Sequence, residues 1–185
     1  MKILVYGAGV IGTLYASRLQ DQGHQVTILA RGSRLADIRR HGLMLEDVMS
    51  GARSTTRVNV AERLSPEDAY DMAVITVRWD QLSGTLPELA ANCTTPTVLF
   101  MLNNPGGSTR LTAALGGRAL LGFPGAGGTL QDHVVRYIMI PQQPTTLGEP
   151  NGTRSSRVQA VVETLRASGF RTQIDTDMNA WLVSH

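Results

Sequence analysis

The chain has 185 residues, is 42% hydrophobic and 17% charged, and carries a net charge of +2. That charge gives no electrostatic case for nucleic acid, no basic run suggests a membrane-surface patch, and no apolar run reaches membrane-spanning length. A single cysteine, Cys93, excludes an intramolecular disulfide and fits a reducing, cytoplasmic compartment, and the length suits one domain with a sizeable core.

Lys2 to Tyr6 (KILVY) is a short apolar run, as expected of a strand buried on both faces, and Met1 leads straight into it without a signal-peptide pattern. The run ends in Gly7-Ala8-Gly9-Val10-Ile11-Gly12. Beyond it Val10, Ile11, Leu14, Tyr15 and Leu19 recur at helical spacing, and Gly23 supplies the stop. In such a strand–turn–helix Gly7 permits a tight turn, Gly9 lets the backbone approach a pyrophosphate, and Gly12 lets helix and strand pack closely. The helix N-terminus then presents unpaired N–H groups and a positive dipole end to the phosphates. A lone GxGxxG is weak, but here the preceding strand, the following helix and a second strand at Gln25–Ala30 (QVTILA) all agree. The pattern predicts dinucleotide binding.

After that second strand, units that prefer NAD carry Asp or Glu about 20 residues past the glycines, to hold the ribose 2′-hydroxyl. This chain has Arg31, Ser33 and Arg34 instead, which suit the 2′-phosphate of NADP; the alternative is that both arginines are solvated loop charges. Ser33 is expected to cap a helix over Arg34–Arg40 that Gly42 ends.

Leu43–Val48 and Thr55–Val60 read as two short strands around Gly51. Ser65-Pro66-Glu67-Asp68 reads as a helix start, and Asp71–Val77 as a buried strand ending in Arg78, Trp79, Asp80 and Gln81. Ligands of open parallel sheets sit beyond the carboxyl ends of strands, so these four have a positional claim on a site; otherwise they simply start a helix. That helix runs towards Ala91 and is expected to be interrupted at Pro87.

Thr97–Leu102 is the next core strand. Asn103-Asn104-Pro105-Gly106-Gly107 follows it, where an amide suits either a turn or the polar end of a ligand. A helix over Ser108–Leu115 and a strand over Ala119–Phe123 lead into a second glycine cluster, Pro124-Gly125-Ala126-Gly127-Gly128, read as a ligand-approaching or loose loop. His133–Ile140 and Thr145–Gly148 are strand-like, Ser156–Ser168 is an amphipathic helix, and Phe170–Ile174 closes the sheet. Asp175 to His185 begins a further helix bearing Trp181. The alternation predicts an α/β fold of Rossmann type, with a doubly wound, mainly parallel sheet. The histidines lack metal-ligand spacing, so no metal site is expected.

Several marks coincide with one family. GAGVIG, LAR, YDMAVITVR, LNN, LGFPGAGG, TTLGE and MNAWL occur in order, and together the chain resembles the ketopantoate reductase (2-dehydropantoate 2-reductase) family. The resemblance implies an NADPH-dependent oxidoreductase acting on a small 2-oxo acid and linked to pantothenate biosynthesis. It covers the family's N-terminal cofactor domain, with the C-terminal helical domain absent. Residues 1–175 are then expected to form the NADP-binding unit, and 176–185 the start of a helix leading to that further domain. A homo-oligomer is neither required nor excluded.

By the same resemblance Gly7, Ala8, Gly9, Val10, Ile11 and Gly12 hold the pyrophosphate and Arg31 meets the 2′-phosphate. Arg78 stands where the family commonly has a lysine near the cofactor, Asn103 contacts cofactor and substrate, and Gly128 gives a backbone contact at the nicotinamide end. The family's catalytic lysine falls two residues after the tryptophan, where this chain has Val183. Reducing a ketone leaves an oxygen that needs a proton or a positive charge beside it, and valine offers neither. His185 is the nearest titratable replacement. A second function therefore competes with the first: an NADP-binding module without catalysis.

Overall fold

The first strand, β1 (Lys2–Tyr6), sends Ile3 and Val5 into one apolar cluster and Leu4 and Tyr6 into another, and all four are buried. A strand covered on both faces needs layers on both sides. The computed structural model, which describes residues 1–184, shows those layers. Among the described residues the main sheet has eight strands in the order β12 (Thr172–Ile174), β11 (Thr145–Gly148), β8 (Ala119–Phe123), β7 (Val98–Met101), β6 (Met72–Ile75), β1, β2 (Gln25–Leu29) and β5 (Asn59–Ala61). Neighbours run parallel except β8 and β11, which pair antiparallel. This is the doubly wound, mainly parallel α/β fold that the sequence predicts.

Helices α1 (Val10–Asp21), α2 (Gly32–His41) and α5 (Ser156–Ala167) cover the face of Ile3 and Val5; α3 (Trp79–Ala91), α4 (Thr109–Leu115) and α6 (Met178–Ser184) cover the other. The α5 stripe of Val158, Val161, Val162 and Leu165 shows how sequence becomes packing: helical spacing brings all four to one side, and all are buried. Each contributes about 1.5–3 kcal/mol by leaving water.

A second, four-stranded sheet was not legible in the sequence. Its order is β4 (Arg53–Thr56), β3 (Leu43–Asp47), β10 (Val134–Met139) and β9 (Ala126–Gln131). It packs on α1 from the side away from the main sheet, which explains why that helix buries residues all round, from Gly12 to Ser17 and again at Leu19. The glycine cluster Ala126–Gly128, read as a loop, is the start of β9.

Four other local expectations are corrected. Thr55–Val60 is not one strand: β4 ends at Thr56 and β5 begins at Asn59 in the other sheet, while Arg57 turns aside to donate to the carbonyls of Arg39 and Arg40 at the end of α2. Ser65–Asp68 forms a closed turn, with Ser65 N donating to Asp68 Oδ2 at 2.8 Å, and the chain enters β6 before a helix has room to propagate. Helix α3 runs through Pro87 uninterrupted; Pro87 and Ser83, whose carbonyl loses its helical partner, both lie on the exposed side of the helix, where the loss costs least. Ser33 lies inside α2, whose N-cap is Arg31 with no side-chain cap.

Helix α6 packs on the same fold: Met178 and Leu182 are buried in the second core, and Trp181 meets Phe123 edge-on at 5.0 Å. No helix of the described residues is long and apolar enough to cross a membrane.

Candidate functional site

The three glycines of the first turn do different physical work. Gly7 sits at φ +111°, where a side chain is strained. A Cβ on Gly12 would stand 1.9 Å from the Gly7 carbonyl oxygen and 2.5 Å from Thr76 Oγ1, so α1 can lie this close to β1 only with glycine there. A Cβ on Gly9 would meet nothing within 4 Å: the space in front of it is open. Gly9 is the N-cap of α1 and no side chain caps that end, while helical geometry leaves the next N–H groups without intrahelical partners. Open space, free donors and a positive dipole end are what a pyrophosphate needs, so the residues present fit a dinucleotide.

Two side chains brace this turn: Thr76, which sequence reasoning left unassigned, and Arg34, which it grouped with Arg31 for the 2′-phosphate. Thr76, one residue beyond β6, donates from Oγ1 to the Gly7 carbonyl at 2.9 Å and lies 3.2 Å from that of Tyr6. Arg34 reaches back from α2: its Nε donates to the Ala8 carbonyl at 3.0 Å and its Nη2 to Thr13 Oγ1 at 3.0 Å. Burial lowers the pKa of this guanidinium, with Asp37 acting the other way. The only sequence signal for Thr76 was its place at a strand's carboxyl end, and for Arg34 its place after β2.

Two joined depressions run along the carboxyl ends of the main-sheet strands. One, of about 480 Å³, lies between Gly7, Ala8, Arg31 and Arg34 on one side and Gln81 and Thr85 of α3 on the other. The second, of about 840 Å³, is lined by Gly9, Val10, Ile11, Trp79, Asn103, Phe123 and Gly128, among others. Gly9, Thr76, Val77 and Arg78 line both, which makes one continuous groove. Every sequence-predicted cofactor residue lines it except Gly12, which is buried beneath the turn.

Along the groove the predicted residues differ in their surroundings. Arg31 is held at its rim: Nη2 donates to the Tyr6 hydroxyl at 2.9 Å and lies 3.1 Å from Glu88 Oε2, and Nε donates to the Glu62 carbonyl. Burial works against its charge, but Tyr6 and Glu88 more than offset this and raise its pKa. Burial first, and the Glu88 carboxylate second, push the Tyr6 phenol up to about 12. Arg78 is exposed and forms a two-pronged pair with Asp80, at 3.0 and 2.8 Å.

Asn103 is exposed at the wall of the wider part, whereas Asn104 is buried and ties its own loop by donating to the Gly107 carbonyl at 2.8 Å. Asn179 of α6 holds the same loop, accepting from Ser108 N at 2.9 Å. Gly128 faces the groove, but the β-ladder alone already demands a glycine there, since a Cβ would meet the Arg136 carbonyl oxygen at 2.1 Å. Val183 is 69% exposed on α6 and is not among the groove-lining residues; His185 lies outside the described residues. The chain's one lysine is Lys2, at the amino end of β1, opposite the groove.

Comparisons with known proteins converge on one family. A family model described as "Ketopantoate reductase PanE/ApbA" matches residues 3–152. A 2-dehydropantoate 2-reductase of Pyrococcus horikoshii is 27% identical over 98% of this chain and 58% of its own length. One from Mesorhizobium japonicum is 26% identical over 97% and 61%. The chain thus spans about three fifths of these relatives. Among solved structures, a PanE/ApbA family ketopantoate reductase from Ralstonia eutropha superposes with a TM-score of 0.83 at 18% identity, over 98% of this chain and 59% of that one. A ternary structure of D-mandelate dehydrogenase with NADH and anilino(oxo)acetate gives 0.82 at 18%, over 98% and 59%. These structural likenesses show the fold.

Proposed function

The chain belongs to the ketopantoate reductase family, and from that premise we infer that it binds NADPH along the groove and serves hydride transfer to a small 2-oxo acid, ketopantoate or a relative. One observation carries this: a groove that begins at a basic rim without a β2 carboxylate, passes an open glycine turn at a helix N-terminus, and widens at Asn103. Residues 1–175 would form the cofactor unit, with α6 opening the segment that follows.

The backbone at Gly9 to Gly12 would hold the pyrophosphate, with Gly7 shaping the turn and Thr76 and Arg34 keeping it in register. Arg31 would meet the 2′-phosphate with a planar guanidinium, which suits two-point contact. Arg78 would lie over the phosphates once drawn from Asp80. Asn103 and the Gly128 backbone would orient the nicotinamide and substrate ends, and the apolar walls of Val10, Ile11, Trp79 and Phe123 would help exclude water once the groove is filled. When bound, the dinucleotide supplies the hydride. The carbonyl oxygen then needs a proton, and the chain offers no lysine on this side of the sheet.

Val183 favours a second reading, in which this chain binds NADP(H) without turnover. Calorimetric titration with NADPH, followed by NADPH oxidation with ketopantoate and a panel of 2-oxo acids, separates the two. Binding with turnover supports the enzyme, binding without turnover supports the module, and absence of binding removes both.

A further inference from the structure

We propose that Glu88 sets how strongly this chain prefers NADPH over NADH, by competing with the 2′-phosphate for Arg31. The end of β2 carries no carboxylate, which is the basis for expecting NADP. The fold nonetheless brings one to the same guanidinium from α3, 57 residues further along the chain. Glu88 is not a loose surface charge. Leu64 N donates to its Oε1 at 2.7 Å, the Tyr6 hydroxyl donates to its Oε2, and its side chain is only 21% exposed against 58% for Arg31. The carboxylate is therefore the more deeply anchored of the two, and the more exposed arginine is the partner that can swing, at the cost of its bonds to Tyr6 and the Glu62 carbonyl.

Two arrangements are open to Arg31 when a 2′-phosphate arrives, and both cost affinity. If the guanidinium swings to the phosphate, it leaves a half-buried carboxylate with one charged partner fewer. If it stays and shares its donors, an anchored negative charge 3.1 Å from the same guanidinium opposes the incoming dianion. The uncharged ribose diol of NADH meets neither penalty. Glu88 is thus a specificity-determining residue that narrows the gap between the two cofactors.

This extends the assignment of Arg31 to the 2′-phosphate and rests on it, so the test must separate the two. Dissociation constants for NADPH and NADH are measured by calorimetry, at one salt concentration, for the wild-type chain, Glu88→Gln, Arg31→Ala and the double variant. Glu88→Gln is expected to tighten NADPH about two- to fivefold, the range an exposed ion pair carries, and to leave NADH in place. In the Arg31→Ala background that gain is expected to shrink, because the competition has lost its object. Equal changes for both cofactors, or none, on Glu88→Gln overturn the proposal. If Arg31→Ala itself weakens NADPH and NADH equally, the Arg31 assignment fails instead. Glu88→Ala, read the same way, carries the test where the glutamine variant does not fold.

Discussion

Arg34 Nε donates to the carbonyl of Ala8 at 3.0 Å, so a residue of α2 holds the middle of the glycine turn between β1 and α1. With the second bond to Thr13, this arginine acts on the shape of the turn, and the turn is common to NADH and NADPH. Arg34→Ala should therefore weaken both cofactors by a similar factor and lower stability by about 1–3 kcal/mol, as expected for losing hydrogen bonds from a charged donor. Titration of both cofactors and a denaturant melt check this; a loss confined to NADPH would place Arg34 on the 2′-phosphate instead.

Gly9 and Gly12 separate binding from folding. Gly9→Val fills open space, so the melting temperature without ligand should stay near wild type while the stabilisation by added NADPH disappears. Gly12→Ala drives a Cβ against the Gly7 carbonyl and should cost about 1–3 kcal/mol or more in stability before any ligand is added. Thermal melts with and without NADPH distinguish the two patterns. An unchanged ligand shift in Gly9→Val would remove the pyrophosphate from this turn.

Thr76→Val keeps the shape of the side chain and deletes its bond to the Gly7 carbonyl. The expected loss is about 1 kcal/mol of stability, with weaker binding of both cofactors. Thr76→Ser should restore most of both. If the valine variant melts and binds as wild type does, the hydroxyl has no part in holding the turn.

Tyr6 predicts an alkaline limit. Its phenol is raised from 10.0 to about 12 by burial and by Glu88. A proton held more tightly in the folded chain than in the unfolded one stabilises the fold below the unfolded pKa, and that contribution is lost as pH rises from about 10 to about 12. Tyr6→Phe should remove this component, so the gap between wild type and variant should close over that window. A gap that stays constant from pH 9 to 12 would contradict the assignment.

What could be read from the sequence was what neighbouring residues decide. KILVY followed by GAGVIG fixes strand, turn and helix within a dozen residues, and the structure has that unit with the same start at Lys2 and the helix from Val10. The second sheet was missed because β9 begins Ala-Gly-Gly, whose strand character comes only from pairing with β10. Thr55–Val60 alternates like one strand, and only the tertiary contact of Arg57 with the end of α2 divides it between sheets. The glycines, Arg31, Arg78 and Asn103 could be singled out as candidates because each stands at a strand end, and all but Gly12 line the groove. Glu88 was not, because its approach to Arg31 spans 57 residues, from the end of β2 into α3, and leaves no local pattern.

The central claim is that this groove takes NADPH in preference to NADH and that Arg31 is the main reason. The most direct measurement is the pair of dissociation constants for wild type and Arg31→Ala at one salt concentration. Hydrogen bonds to a charged group contribute about 1.5–3 kcal/mol, so the variant should lose about ten- to a hundredfold in NADPH affinity while NADH stays nearly unchanged. Equal losses for the two cofactors would contradict the claim and leave Arg31 as a brace for Tyr6 and Glu88.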